Sequence, residues 1–315
     1  KLQLKKFNKK LKDNRNISTN MKETLKHMPK KAHPMDVTRT VVSMMGLEDK
    51  ESSNNSPESN MQKAIRIFAK TPTALAFFFR ARKGKKILSP KKGLGFSENF
   101  FYMCFGKVPS KEIVKAFDVS LILYAEHSFN VSTFTARTIT SSLSDIHSAI
   151  TGAIGSLKGP LHGGANEEVM YMINKIKKPE NSLKWINKAL DNKDVIMGFG
   201  HRIYKKGDSR VPTMEQYFKK VSKIKNDKKL LKIYETVKSI MIKRKHIHPN
   251  VDYPTGPTYH LMGFDTDFFT PIFVLSRITG WSAHIMEQHA SNKLIRPLSK
   301  YSGEDYRKVP LLNKR

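Results

Sequence analysis

A single cysteine, Cys104, stands in 315 residues, so no intrachain disulfide can form and the chain suits a reducing compartment. No apolar run reaches the roughly 18 residues that a membrane-crossing helix needs. The opening, KLQLKKFNKKLKDNRN, has no apolar stretch and is not a secretory signal. It begins with Lys rather than Met, as a fragment or a processed form would. Acidic residues are few, 27 against 57 Lys plus Arg, for a formal net charge of +30. Strict apolar–polar alternation is scarce, and no internal repeat is visible.

What is present is enough to fold. The chain is 39% hydrophobic and 10% aromatic, which argues against general disorder and allows one large unit or two unequal lobes. The positive charge admits a polyanion-binding reading: nucleic acid, a membrane surface or a phosphorylated cofactor. The lysines, however, are scattered in pairs along the chain. They form no compact basic stripe interleaved with aromatics, so solvated helix faces explain them better. Neither nucleic acid nor membrane is expected as a partner.

Helical spacing dominates. Ile113, Phe117, Leu121 and Tyr124 recur on one face, with Ser110 placed to cap the start. Leu183, Ile186 and Leu190 form a second stripe, and Leu230, Ile233, Val237 and Met241 a third. Such stripes are ordinarily core, and an all-α fold is expected. The polar stretch ESSNNSPESN at 51–60 and the Gly/Pro-punctuated basic stretch at 81–93 read as surface loops.

Three segments can carry chemistry. In GSLKGPLHGGANEE, residues 155–168, His162 lies between Pro160 and paired glycines, just before a helical pattern. Glycines let a ligand approach backbone, and a helix N-terminus favours negative charge; a structural loop histidine is the plainer alternative. In DVIMGFGHRIYKKGDSR, residues 194–210, His201 is followed by Arg202, Lys205, Lys206 and Arg210. These cations favour a neutral imidazole or a bound carboxylate, though a glycine turn with a solvated basic flank would look the same. In HIHPNVDYPTGPTYHLMGF, residues 246–264, Asp252 has apolar neighbours. That setting can raise its pKa and make it a base; an Asx turn or helix cap is the alternative. His246 and His248 have no Cys or acidic partner at a metal-ligand spacing, so no metal is expected.

Taken together, GPLHGGANE, GFGHRIYKKGDSR, NVDYPTG and the stretch TPIFVLSRITGW…LIRPLSKYSG resemble the citrate synthase family in order and separation. The likeness is greatest to the compact bacterial-type citrate and 2-methylcitrate synthases. HPMDVTRT at 33–40 and AEHSFNVSTFTAR at 125–137 fit the same pattern, and the resemblance runs from about Arg15 through the C-terminus. Relative to the family some N-terminal residues are missing, and Ser209 replaces a common proline.

The resemblance implies an all-α fold with a large domain, 1–163 and 264–315, and an inserted small domain, 164–263, that closes over the substrates. It implies a homodimer condensing acetyl- or propionyl-CoA with oxaloacetate, with no metal and no tightly bound cofactor. Asp252 would be the base, His162 the enolate stabiliser, and His201 the donor to the ketone oxygen. Arg210, Arg277, Arg296 and His127 would bind oxaloacetate, with Arg296 reaching the partner's site. Val195, Ile196, Met197, Gly198 and Phe199 would lie along CoA, and Arg15 would contact the acyl-CoA. AEHSFN, GWSAHIMEQ and LIRPLSKYSG lean toward propionyl-CoA. The implied compartment is the cytoplasm, or the mitochondrial matrix in a eukaryote. A non-catalytic polyanion-binding protein is the competing class, and only the charge speaks for it.

Overall fold

The computed structural model describes every residue except Lys1, Arg202 and Lys205; the first and second cations after His201 therefore lie outside the described residues. Among those described there is no strand, only an isolated antiparallel bridge between Phe199 and Pro249. The helices, in chain order, are α1 (Leu2–Asp13), α2 (Thr19–His27), α3 (Pro34–Glu48), α4 (Pro57–Ala81), α5 (Phe96–Phe105), α6 (Lys111–Tyr124) and α7 (Val131–Ser141). After these come α8 (Ile146–Leu157), α9 (Ala165–Ile176), α10 (Ser182–Asp191), α11 (Val211–Lys225), α12 (Lys228–Lys245), α13 (Asp252–Leu261) and α14 (Phe269–Ala290). None is long and apolar enough to cross a membrane.

Two helices run through the core. α4 is buried almost continuously from Ala64 to Phe79, and α14 from Phe269 to Ser282. Helices apolar on most sides must be enclosed by others; α4 packs on α3, α5 and α14, while α14 also packs on α6, α7 and α8. The rings of Phe79, Phe100, Phe101, Phe105, Phe117 and Phe264 meet in stacked and edge contacts at 5.0–6.3 Å, within the 4.5–7 Å range that favours aromatic pairs. Along the second half, α10 packs on α12, α11 on α12 and α13, and α13 on α9. α11 also rests on α6, joining the two halves beside the cleft.

Caps explain several helix starts. Asn130 Oδ1 accepts from the Thr133 amide at 3.1 Å at the head of α7, and Asp145 Oδ1 accepts from His147 and Ser148 at 2.8 and 3.0 Å at the head of α8. These bonds satisfy amides that have no partner within the helix.

Some sequence expectations need correction. The polar stretch does not remain a loop to residue 60, because Ser56 caps and Pro57 opens α4. That loop is held from inside: Lys63, fully buried, donates through Nζ to the carbonyls of Glu51, Ser52 and Asn54 at 3.2, 3.0 and 2.6 Å. Ser110 occupies the cap position of α6 but makes no side-chain bond to its amides. Leu183 is 53% exposed; α10 turns Ser182, Ile186 and Ala189 inward instead. The stripe of α12 is buried as expected.

Candidate active site

A cleft of about 620 Å³ opens where the C-terminal end of α6, the start of α7, the loop before α9, residues 195–201, the start of α13 and the face of α14 converge. It is within the usual range for small-molecule sites. His127, His162, His201, Arg210, Asp252 and Arg277 all line it, as do Val195 to Phe199.

Asp252 is the first residue of α13, and its residue face stays partly open to the cleft. The neighbouring Asn250 makes the Asx-type turn, accepting the Asp252 amide through Oδ1 at 3.1 Å. The Asp252 carboxylate is thereby left out of capping, and its Oδ1 accepts from the Tyr124 hydroxyl at 2.5 Å. Burial drives the Asp252 pKa up to about 6, against the Tyr124 hydrogen bond and the nearby Arg210 and Arg277 charges. Such a carboxylate is a stronger base than an exposed one.

His162 is held by the sharp turn before α9. A Cβ at Gly163 would come within 2.4 Å of the Leu157 carbonyl oxygen and 2.6 Å of the Leu157 side chain, so only glycine permits this approach. His162 Nε2 receives the Ser132 backbone N–H at 3.2 Å. A backbone amide can only donate, so Nε2 is the bare nitrogen and the neutral ring carries its proton on Nδ1. Ser132 Oγ lies 2.9 Å from the same nitrogen and accepts from Trp281 Nε1 at 3.1 Å. Burial, with a smaller push from Arg277, lowers the His162 pKa to about 4, so at neutral pH the ring is an uncharged N–H donor.

His201 follows the same logic with the nitrogens exchanged. Its Nδ1 accepts from the amides of Ile203 and Tyr204 at 3.1 and 3.3 Å, which puts the proton of the neutral ring on Nε2. The His127 ring lies 5.0 Å away. His127 Nε2 is buried with no hydrogen-bond partner among the described residues, and burial, then Arg210 and His201, lowers its pKa.

Two guanidinium groups supply the positive field. Arg210 is paired edge-on with buried Asp208. Burial works against the Arg210 charge, but the Asp208 hydrogen bond and charge more than offset it and raise the Arg210 pKa overall. Arg277 Nε donates to the Tyr124 carbonyl at 2.7 Å, and its guanidinium lies 4.6 Å over the Phe273 ring. Burial first, then Arg210, pushes Arg277 down to about 10. It remains charged at neutral pH, with a strong electrostatic demand for an anion.

The segment 195–199 forms one edge of the cleft. Gly198 has φ +84°, and a Cβ there would meet Val169 Cγ2 at 2.5 Å. The Gly198 carbonyl accepts from the Asn250 amide at 2.9 Å, and the Gly200 amide donates to His248 at 2.8 Å, which binds this edge to the strip that carries Asp252.

Two predicted residues are not brought here. Arg15 is 5% exposed, and its Nη1 donates to the carbonyls of Leu94 and Lys91 at 3.0 and 3.5 Å; in its own chain it holds the loop before α5 and does not line the cleft. Arg296 is exposed in the irregular segment after α14 and also does not line it. His246 closes α12 in the left-handed conformation, and His248 contributes its carbonyl to the bridge. Among the described residues no group of three His, Cys, Asp or Glu side chains could hold a metal ion. Sequence reasoning missed Asp208, Ser132 and Tyr124. Asp208 lies inside GFGHRIYKKGDSR and Ser132 inside AEHSFNVSTFTAR, and Tyr124 belongs to the apolar stripe of α6.

Comparison with known proteins gives the family. The family description "Citrate synthase, C-terminal domain" matches residues 1–298. The chain is 50% identical to the citrate synthase of Mycolicibacterium smegmatis, over 98% of this chain and 82% of that protein. It is 49% identical to 2-methylcitrate synthase 2 of Corynebacterium glutamicum, over 99% and 83%. Its fold superposes on a citrate synthase of the archaeon Thermoplasma acidophilum, solved as a ternary complex with carboxymethyl coenzyme A and oxaloacetate. That match has a TM-score of 0.91 at 30% identity, covering 99% of this chain and 84% of the other. An all-helical fold, a cleft with paired neutral histidines facing a buried carboxylate, and identity near one half over almost the whole length lead to one assignment: this chain belongs to the citrate synthase family.

Proposed function

We propose that the protein condenses a short acyl-CoA with oxaloacetate and water, releasing CoA and either 2-methylcitrate or citrate, and that Asp252, His162 and His201 carry the chemistry. The observation that carries this reading is their convergence in one cleft, each in a defined protonation state, beside two buried arginines. Acyl-CoA enters as a substrate; no metal or tightly bound cofactor is required.

The α-proton of a thioester is very weakly acidic, so its removal needs a base and a hydrogen bond to the oxygen that becomes negative. Asp252 takes the proton. The His162 Nδ1–H donates to the thioester oxygen as charge builds there. The new carbon nucleophile attacks the ketone of oxaloacetate while the His201 Nε2–H donates to the ketone oxygen and protonates it. Water then cleaves the thioester of the condensed product. Arg210 and Arg277 bind the oxaloacetate carboxylates, since a planar guanidinium matches a carboxylate through two hydrogen bonds. The unpartnered Nε2 of His127 suits the same anion. Val195 to Phe199 form the wall against CoA.

The homodimer is part of the proposal. Arg296, exposed in its own subunit, would complete the oxaloacetate site of its neighbour. The small domain, 164–263, would close on the large one once oxaloacetate bridges Arg210 on one side and Arg277 on the other, excluding water while the carbanion exists. We place the enzyme in the cytoplasm, or in the mitochondrial matrix of a eukaryote.

Free-thiol release, measured with oxaloacetate and either acetyl- or propionyl-CoA, tests the reading. Thiol release that depends on oxaloacetate supports it, and the higher kcat/KM assigns the acyl group. One methylene is worth only about 1–3 kcal/mol, so measurable turnover of both is expected, with propionyl-CoA favoured. No release with either substrate overturns the assignment.

A further inference from the structure

Tyr124 joins the base to the anion site through two different atoms. Its hydroxyl donates to Asp252 Oδ1 at 2.5 Å, and its backbone carbonyl accepts from Arg277 Nε at 2.7 Å. The side chain is 1% exposed, and its ring lies against that of Phe273, with centroids 4.1 Å apart. The Arg277 guanidinium covers the other partner of that ring pair. Burial and the Phe273 ring thus confine the Tyr124 ring and hold its hydroxyl on the carboxylate. Among the described residues the side-chain hydrogen bond to the Asp252 carboxylate falls on Oδ1, which leaves Oδ2 as the oxygen available to a proton from substrate.

We propose that Tyr124 is the positioning residue of the base: it locks Oδ1 of Asp252 and presents Oδ2 to the substrate α-carbon. This rests on the assignment of Asp252 as the base. A hydrogen bond to the charged form favours that form. The groups facing Asp252 are Tyr124 from α6, Asp208 and Arg210 from the segment before α11, and Arg277 from α14. Among the influences that oppose burial, the Tyr124 hydroxyl is the largest, ahead of both arginines. Tyr124 itself stays protonated, since burial first and the Asp252 charge second raise its pKa well above the ordinary phenol value. It is therefore a permanent donor over the working range of the enzyme.

The test is Tyr124→Phe, which keeps the ring and removes the donor. Without it the base holds its proton to higher pH, so the acid limb of the kcat/KM profile should move up by about one pH unit. The kcat at its plateau should fall about 10- to 100-fold, in the lower part of the range over which acid–base groups contribute. The KM for oxaloacetate and for acyl-CoA should stay within about threefold. Because Tyr124 acts through Asp252, the same substitution in an Asp252→Asn background should cost almost nothing further. An unmoved acid limb, or a loss confined to KM, overturns the positioning role. If Tyr124→Phe does not fold, fluorotyrosine at position 124 provides a more acidic donor in the same shape, and the acid limb should then move down; no movement overturns the proposal. Asp252→Asn with more than about a tenth of the rate would instead remove the base assignment. Inactivity of that variant with a wild-type profile in Tyr124→Phe removes only the role of Tyr124.

Discussion

Asp208 accepts Nε of Arg210 on Oδ1 at 2.9 Å and Nη2 on Oδ2 at 2.7 Å, so the whole of one guanidinium edge is held by a single carboxylate. Oδ2 also receives the Val251 amide at 3.0 Å, which ties Arg210 to the residue before Asp252. The Asp208 side chain is fully shielded from solvent. Burial pushes its pKa up, but the hydrogen bonds and charge of Arg210 hold it below the usual carboxylate range.

Replacing Asp208 with Ala should therefore leave a buried arginine charge without its counter-ion, a change that typically costs about 3–5 kcal/mol. Thermal denaturation should show the loss, and Asp208→Asn, which keeps the shape, should lose less. The KM for oxaloacetate should rise at least tenfold in the Asn variant, with a much smaller change for acyl-CoA. An unchanged oxaloacetate KM would show that the free edge of Arg210 does not need Asp208.

Asp252 should trade stability for its role. Its folded pKa of about 6 lies above the ordinary carboxylate value of 3.8. Between these values the folded state keeps a proton that the unfolded state has released, so wild-type stability falls as pH rises through that window and stays lower above it. Two pH units correspond to about 2–3 kcal/mol at most. Asp252→Asn should be nearly inactive yet melt at or above the wild-type temperature at pH 8, an advantage that vanishes near pH 4. A lower melting temperature at pH 8 than at pH 4, each relative to wild type, would contradict the burial argument.

His162 should act in the opposite sense on acidification. Its folded pKa of about 4 lies below the free value of 6.5, so the unfolded state takes up a proton first and stability falls as pH drops from about 6.5 to 4. His162→Gln should flatten the melting temperature against pH in that window alone. A curve parallel to wild type would mean that the folded ring titrates normally.

Arg296 and Asp252 allow a test of site sharing. If Arg296 of the partner subunit completes each site, Arg296→Ala and Asp252→Asn chains are both inactive alone. In a mixed dimer one site collects both lesions and the other neither, and about half of the dimers formed at random are mixed. Activity should reappear after subunit exchange. Exchange shown by mass spectrometry without recovered activity would place Arg296 in its own subunit or remove the dimer.

Gly198→Ala should damage the cleft edge proposed to hold CoA. At φ +84° an alanine is strained, and its Cβ would press on Val169 Cγ2 and, at 3.1 Å, on Tyr253. Because Tyr253 follows Asp252, both kcat and the acyl-CoA KM should worsen, with loss of stability of about 2 kcal/mol or more. Wild-type acyl-CoA kinetics would show that the segment relaxes without touching the site.

The chain by itself determined the helical class, the three segments that carry His162, His201 and Asp252, and the family, because these depend on local spacing and on motifs that lie close together along the chain. It could not distinguish a core position from a site position when a residue was both. Tyr124 satisfies the apolar stripe of α6, yet its hydroxyl reaches across 128 positions to Asp252, and no periodicity records where a ring ends. Nor could it show that Asn250 makes the turn that Asp252 was equally fitted to make, that Asp208 holds Arg210, or that Arg15 is spent on two carbonyls of its own chain. Protonation was likewise undecided until packing supplied neighbours: a histidine has the same two nitrogens in any sequence, and only the amides of Ser132, Ile203 and Tyr204, brought to bear on one nitrogen each, determine which of them carries the proton.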